Sequence, residues 1–269
     1  MTSDPEFRSD LYRGTARFYD KYRPGYPEAL LDDLHVRAGN SGQGRLLDLA
    51  CGTGQITFGL GSSFHEIWAV DQEAEAVEFG RAKALTLGID NVHWITGRAE
   101  DVDADGYFEL VAIGNAFHRL QRRRIAHSAM RWLEPGGHLA LLWSNTPWNG
   151  RREWQGALRQ AVHRWTQEAG TAERIPANLD HHLAHEPHTT VLATAGFTIV
   201  GEFDFATPHE WSVEQLLGFM YSTSFLSQDA LGPNVHAFER DLRALLLDVQ
   251  PEGLFREEVD FSYTLATKA

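Results

Sequence analysis

The sequence predicts an α/β fold built on a mostly parallel sheet with helices over both faces. Three observations carry this. Short apolar runs alternate with segments of helical periodicity from residue 45 to residue 143. The run Phe108-Glu109-Leu110-Val111-Ala112-Ile113 is apolar enough to be buried on both faces, as strands of covered parallel sheets are. The stretch from Leu46 to Thr57 joins an apolar run to a helical pattern through a turn that contains Gly52 and Gly54.

The elements follow in order. Residues 8–35 form an aromatic-rich arm with Tyr12, Phe18, Tyr19, Tyr22 and Tyr26. It is broken at Arg23-Pro24-Gly25-Tyr26-Pro27, where Pro27 suits the first turn of a helix that ends near Gly39. Strands are expected at 45–49, 65–70, 92–96, 108–113 and 138–143. Between them lie helices at 55–60, at 73–87 (stopped by Gly88) and at 120–133 (stopped by Pro135-Gly136-Gly137). The second half reads as helix 151–169, helix 187–195 ending at Gly196, strand 197–205, helices 212–221 and 237–249, and a last alternating strand 255–267. The core comprises about 36–143, 190–206 and 254–267, and insertions 144–190 and 207–250 form a helical cap within one domain of 269 residues.

Composition narrows the function. Hydrophobic residues make up 43% and charged residues 23%, ordinary values for a globular domain. No apolar run is long enough to span a bilayer and no signal segment opens the chain, so no membrane partner is expected. The single cysteine, Cys51, can form no intramolecular disulfide, which fits a cytoplasmic location. A net charge of −13 disfavours nucleic acid and is compatible with an amine-bearing substrate. Oligomeric state is not legible.

The glycine turn holds the chemistry. Gly52 and Gly54 let the backbone pass close to a ligand. A dinucleotide fingerprint would place a third glycine where Thr57 stands, and Asp48 before the turn would repel a pyrophosphate but attract an ammonium group. The expected ligand is a nucleoside with a cationic amino-acid tail. Asp71, ending the second strand, can accept both ribose hydroxyls. Because nicotinamide enzymes use an acid in the same place, an NAD-dependent oxidoreductase is the alternative from another class.

The string Asp48-Leu49-Ala50-Cys51-Gly52-Thr53-Gly54 after a strand resembles the glycine-rich signature of the class I S-adenosylmethionine-dependent methyltransferases. The resemblance implies a Rossmann-like methyltransferase fold, with a seven-stranded, mostly parallel sheet and an antiparallel last strand. It implies S-adenosylmethionine as cofactor, held by Asp48, Ala50, Gly52, Gly54, Asp71 and Gln72, with Ala99 and Glu100 at the adenine and Asn115 and Ala116 at the methionine end. The arm Arg17-Phe18-Tyr19-Asp20-Lys21-Tyr22-Arg23-Pro24 resembles that of the trans-aconitate methyltransferase-like, type 11 small-molecule subgroup, which implies that Tyr19 covers the methionine moiety and Arg23 pairs its carboxylate.

His118 is the candidate catalytic proton acceptor, because its ordinary pKa lies near neutrality. Proximity alone could equally drive the transfer. With His118, Trp143, Tyr221 and Ser224 are the candidate substrate contacts. The expected acceptor is a nitrogen or oxygen of a small molecule, an aminoglycoside-like amine by charge, or a small polycarboxylate by resemblance to the trans-aconitate-like subgroup. His181 and His185 share helical spacing, but Pro187 follows closely and no cysteine is near, so no metal is expected.

Overall fold

Seven strands form one sheet in the order β3-β2-β1-β4-β5-β7-β6. The structure is a computed structural model and describes residues 11–39, 41–104, 107–175 and 183–268. Strands β1 (Arg45–Leu49), β2 (Glu66–Asp71), β3 (Val92–Thr96), β4 (Phe108–Gly114) and β5 (Leu133–Ser144) run parallel. Strand β7 (Leu254–Thr267) lies antiparallel between β5 and β6 (Thr198–Ser212). This is the mostly parallel Rossmann-like sheet with an antiparallel last strand.

Strand periodicity sends neighbouring side chains to opposite faces, and both faces are dry. On one, Leu47, Val111 and Leu139 pack with helices α5 (Arg122–Trp132) and α7 (His188–Ala195). On the other, Leu46, Leu110 and Ala140 pack with α2 (Glu28–Ala38) and α3 (Gln55–Leu60). Trp94 of β3 packs with Ala69 of β2 and Val77 of α4 (Ala74–Leu87).

Two boundaries differ from the sequence reading by more than two residues. Strand β5 starts at Leu133, not 138. Leu133 pairs with Phe108, and the register then shifts to Leu110 opposite His138, which lets the Pro-Gly-Gly segment bulge out. There Gly136 and Gly137 exchange backbone hydrogen bonds with Lys268. Strand β6 runs to Ser212, not 205, because its pairing with β7 continues to Ser212 opposite Leu254. Residues 207–212, expected in the cap, are therefore strand. Pro208 is tolerated because β6 is an edge strand.

The protruding end of this hairpin carries a second core. Trp211 and Phe255 pack with α6 (Glu153–Glu168), α8 (Val213–Tyr221) and α9 (Val235–Val249). The buried Glu257 carboxylate ties three elements together. It accepts from Trp211 Nε1 at 2.6 Å and Gln155 Nε2 at 2.6 Å. Arm helix α1 (Ala16–Tyr22) docks on α8: the Phe18 and Tyr221 rings lie 5.1 Å apart, and the Tyr22 ring fills the space a side chain at Gly218 would need. The arm thus lies over the carboxyl ends of the parallel strands, where ligands of such sheets bind.

Candidate active site

A cavity of about 200 Å³ opens there, roofed by the arm. Of the residues expected to hold the cofactor, it is lined by Tyr19, Arg23, Ala50, Gly52, Asp71, Gln72, Ala99, Glu100, Asn115 and Ala116. Asp48, Gly54, His118, Trp143, Tyr221 and Ser224 are not among its lining residues.

The two glycines of the turn have different tasks. Gly52 has φ of 55° and open space where its Cβ would be, so its backbone is bare toward the cavity. Gly54 has φ of 92° and faces inward, where a Cβ would come 2.6 Å from Trp94 Cη2. Its requirement is the close approach of Trp94, not of a ligand. Ala50 and Asn115, at the ends of the adjacent strands β1 and β4, have positive φ of 56° and 52°, and both line the cavity. Backbone strain of this kind costs about 1 kcal/mol or more per residue and concentrates at ligand sites.

The Asp71 carboxylate organises the turn. Oδ2 accepts from Gly52 N and Oδ1 from Glu73 N, each at 2.8 Å. Burial pushes its pKa up, while backbone N–H donors of Glu73, Gly52 and Gln72 pull it down. The carboxylate keeps acceptor capacity for a further donor.

Asp48 turns to the start of α3. Oδ2 accepts from Thr57 N at 2.9 Å and Thr57 Oγ1 at 2.6 Å, a favourable place for a carboxylate beside a helix N-terminus. Its other oxygen, Oδ1, has no protein partner. Burial raises its pKa to about 7 against the pull of the Thr57 bonds. A carboxylate whose folded pKa is raised makes the native state lose stability as pH rises from the unfolded value to the folded one. In urea unfolding between pH 4 and 7, the midpoint of Asp48→Asn is therefore expected to gain on that of the parent chain as pH rises. Parallel midpoints across this window would contradict the assignment.

The arm adds Tyr19 and Arg23. Arg23 Nε donates to Ser222 Oγ at 2.8 Å, and its guanidinium lies over the Phe219 and Tyr19 rings. Burial lowers its pKa and raises that of Tyr19. Asn115 uses its side chain on the fold: Nδ2 donates to Tyr26 Oη and Ser144 Oγ, and Oδ1 accepts from Ser144 N. Glu100 accepts from Gln121 N at 3.2 Å.

The remaining candidates are dispersed. His118 stacks edge-on with Trp143 at 5.5 Å. Its pKa falls to about 3, first through burial and then through the charges of Arg119, His188 and Arg122. Tyr221 is buried in the cap core and donates to Glu239 Oε1 at 2.7 Å. Ser224 is buried where the cap meets Arg119, whose Nη2 reaches its hydroxyl at 3.5 Å. His181 lies outside the described residues, and no group of three metal-binding side chains occurs among the described ones.

Sequence reasoning missed Tyr12, Thr53, Glu73 and Arg119, all of which line the cavity. Thr53, inside the glycine string, was the most accessible of these. Tyr12 and Glu73 meet through a Tyr12 N to Glu73 Oε1 bond across 61 residues, which no local pattern announces.

The residues present suit an S-adenosyl amino acid. The Thr53 hydroxyl is buried in the cavity wall without a protein partner, the turn at Gly52 is bare, and an acid ends β2. The sheet order and this turn are those of a Rossmann-like methyltransferase fold. Residues 46–137 match the methyltransferase domain family. An uncharacterised methyltransferase of Mycobacterium tuberculosis is 31% identical over 174 residues, which cover 64% of this chain and 63% of that protein. The chain therefore matches less than two thirds of its mycobacterial relative. A protein of Anaeromyxobacter dehalogenans assigned as a type II methyltransferase shares the fold at a TM-score of 0.64 and 18% identity, over 91% of this chain and 97% of that one. A geranyl diphosphate methyltransferase solved with S-adenosylmethionine shares it at a TM-score of 0.50 and 15% identity, over 90% and 85%.

Proposed function

We propose that the protein transfers a methyl group from S-adenosylmethionine to a nitrogen or oxygen of a small molecule. The observation that carries this is the roofed cavity at the ends of β1, β2 and β4, lined by a bare Gly52 turn and by the Asp71 carboxylate hydrogen-bonded to it. Asp71 would take the ribose hydroxyls, Ala99 and Glu100 the adenine, and Arg23 the methionine carboxylate. The bound cofactor supplies an electrophilic methyl group on a sulfonium. The chain's own contribution is enclosure and alignment, the larger part of catalysis in an in-line displacement.

Calorimetry with S-adenosylhomocysteine, followed by labelled methyl transfer to a panel of amines, phenols, sugars and carboxylates, tests the proposal. Absence of S-adenosylhomocysteine binding would sink it.

The net charge of −13 favours an amine-bearing natural product, aminoglycoside-like in the extreme. Methylation of a small polycarboxylate is the second reading, and two of the cavity's guanidiniums, Arg23 and Arg119, which have no carboxylate partner among the described residues, favour it. His118 is neutral at physiological pH and, at a pKa of about 3, a weak base. We expect His118→Gln to keep kcat within about tenfold, the low end of general-base effects. A loss of several hundredfold, with a profile that titrates near the pKa of an ordinary histidine, would restore it as proton carrier.

A further inference from the structure

Three arginines line one cavity, and one of them, Arg98, has the Glu100 carboxylate 3.7 Å away. Arg23 and Arg119 both line it, and neither has a carboxylate partner among the described residues. Their charges oppose each other, which adds to the burial that lowers the Arg23 pKa. Two guanidiniums held in one partly desolvated space call for anions, because an unpaired buried charge is costly. An S-adenosyl amino acid brings one carboxylate. That leaves one cation over.

Their settings differ. Arg23 is fixed between the Tyr19 and Phe219 rings and bonded to Ser222. Arg119 sits where three parts of the protein meet. It belongs to the turn after β4, reaches Ser224 of the cap at 3.5 Å, and lies 5.6 Å from the Tyr12 ring of the arm. Among the described residues the one hydrogen bond of its guanidinium is thus a long one, which leaves its planar fork available to an anion.

We propose that Arg119 is a specificity-determining residue that recognises a carboxylate-type anion on the methyl acceptor, and that this anion is a handle distinct from the atom that is methylated. A carboxylate in charge-assisted hydrogen bonds to a guanidinium has its lone pairs engaged and is a poorer nucleophile. The acceptor therefore carries two groups: an anion seated at Arg119 and a separate nitrogen or oxygen presented to the methyl group. Amino acids, hydroxy acids and dicarboxylates meet this description, whereas a polycation without an anion does not.

The inference rests on the methyltransferase reading, and one experiment separates their failures. Protein saturated with S-adenosylhomocysteine is titrated calorimetrically with succinate. Saturable binding is expected, at least tenfold weaker in Arg119→Gln and largely retained in Arg119→Lys. S-adenosylhomocysteine affinity should change less than twofold in Arg119→Gln but fall at least tenfold in Arg23→Gln. The proposal is overturned if succinate does not bind, if Arg119→Gln leaves its binding unchanged, or if Arg119→Gln weakens S-adenosylhomocysteine as much as Arg23→Gln does, since both arginines would then serve the cofactor. A wild-type protein that fails to bind S-adenosylhomocysteine at all overturns the methyltransferase reading instead. Matched thermal unfolding midpoints for the variants exclude a folding defect.

Discussion

Replacing Asp71 with alanine is expected to weaken S-adenosylhomocysteine binding by about 100-fold or more, the loss of two charge-assisted hydrogen bonds of about 1.5–3 kcal/mol each less what water restores. The damage comes by two routes. The acceptor for the ribose is gone, and so is the carboxylate that holds Gly52 N and Glu73 N, each at 2.8 Å. Asp71→Asn should be almost as harmful for binding, although it keeps the shape. Both carboxylate oxygens face N–H groups, so an amide must turn its own NH2 toward one of them, donor against donor. Titration calorimetry reads the affinity, and unfolding in urea reads the second route. An Asn variant with parental affinity would show that Asp71 does not contact the ligand.

The second large effect separates the two glycines of the turn. Gly54→Ala should destabilise the fold by about 3 kcal/mol, in the range of overpacked cores with backbone strain. Its φ is 92°, and its new Cβ would meet Trp94 Cη2 at 2.6 Å and Phe58 at 3.0 Å. Trp94 has nowhere to go, because its ring is pressed from the other side against Gly80, another position with no room for a Cβ. Gly52→Ala should cost only about 1 kcal/mol in stability, the ordinary penalty of alanine at left-handed φ. Its Cβ would meet no protein atom within 4 Å and would stand in the cavity wall, so its cost should appear in ligand affinity. A fall in urea midpoint for Gly54→Ala and a fall in S-adenosylhomocysteine affinity for Gly52→Ala are the two readouts. A reversed pattern would mean that Gly54, not Gly52, faces the ligand.

Those two residues also show what a sequence can and cannot tell. The D-x-A-C-G-T-G string located the turn, and the alternation of apolar runs located the five parallel strands. Both are local signals of period and conformation. The string could not say which glycine faces the cavity, because that depends on Trp94, forty residues away along the chain but across the turn in space. Asp48 looked like a ligand contact for the same reason: its bond to Thr57 is invisible until the helix is wound. Strand β6 extends past residue 205 through Pro208, which is harmless only because of its position at a sheet edge. Arg119 stands in no motif of its own. Its distinction is the absence of a carboxylate partner among the described residues, a property of its surroundings and not of its type.

The division into two cores has an optical consequence. Of the eight tryptophans, Trp148, Trp154, Trp165 and Trp211 belong to the cluster at the hairpin end, and Trp68, Trp94, Trp132 and Trp143 to the sheet and its helices. Should the former melt before the latter, intrinsic emission would redden in two stages while far-ultraviolet dichroism kept most of its amplitude through the first. A single midpoint would then describe neither half of the molecule.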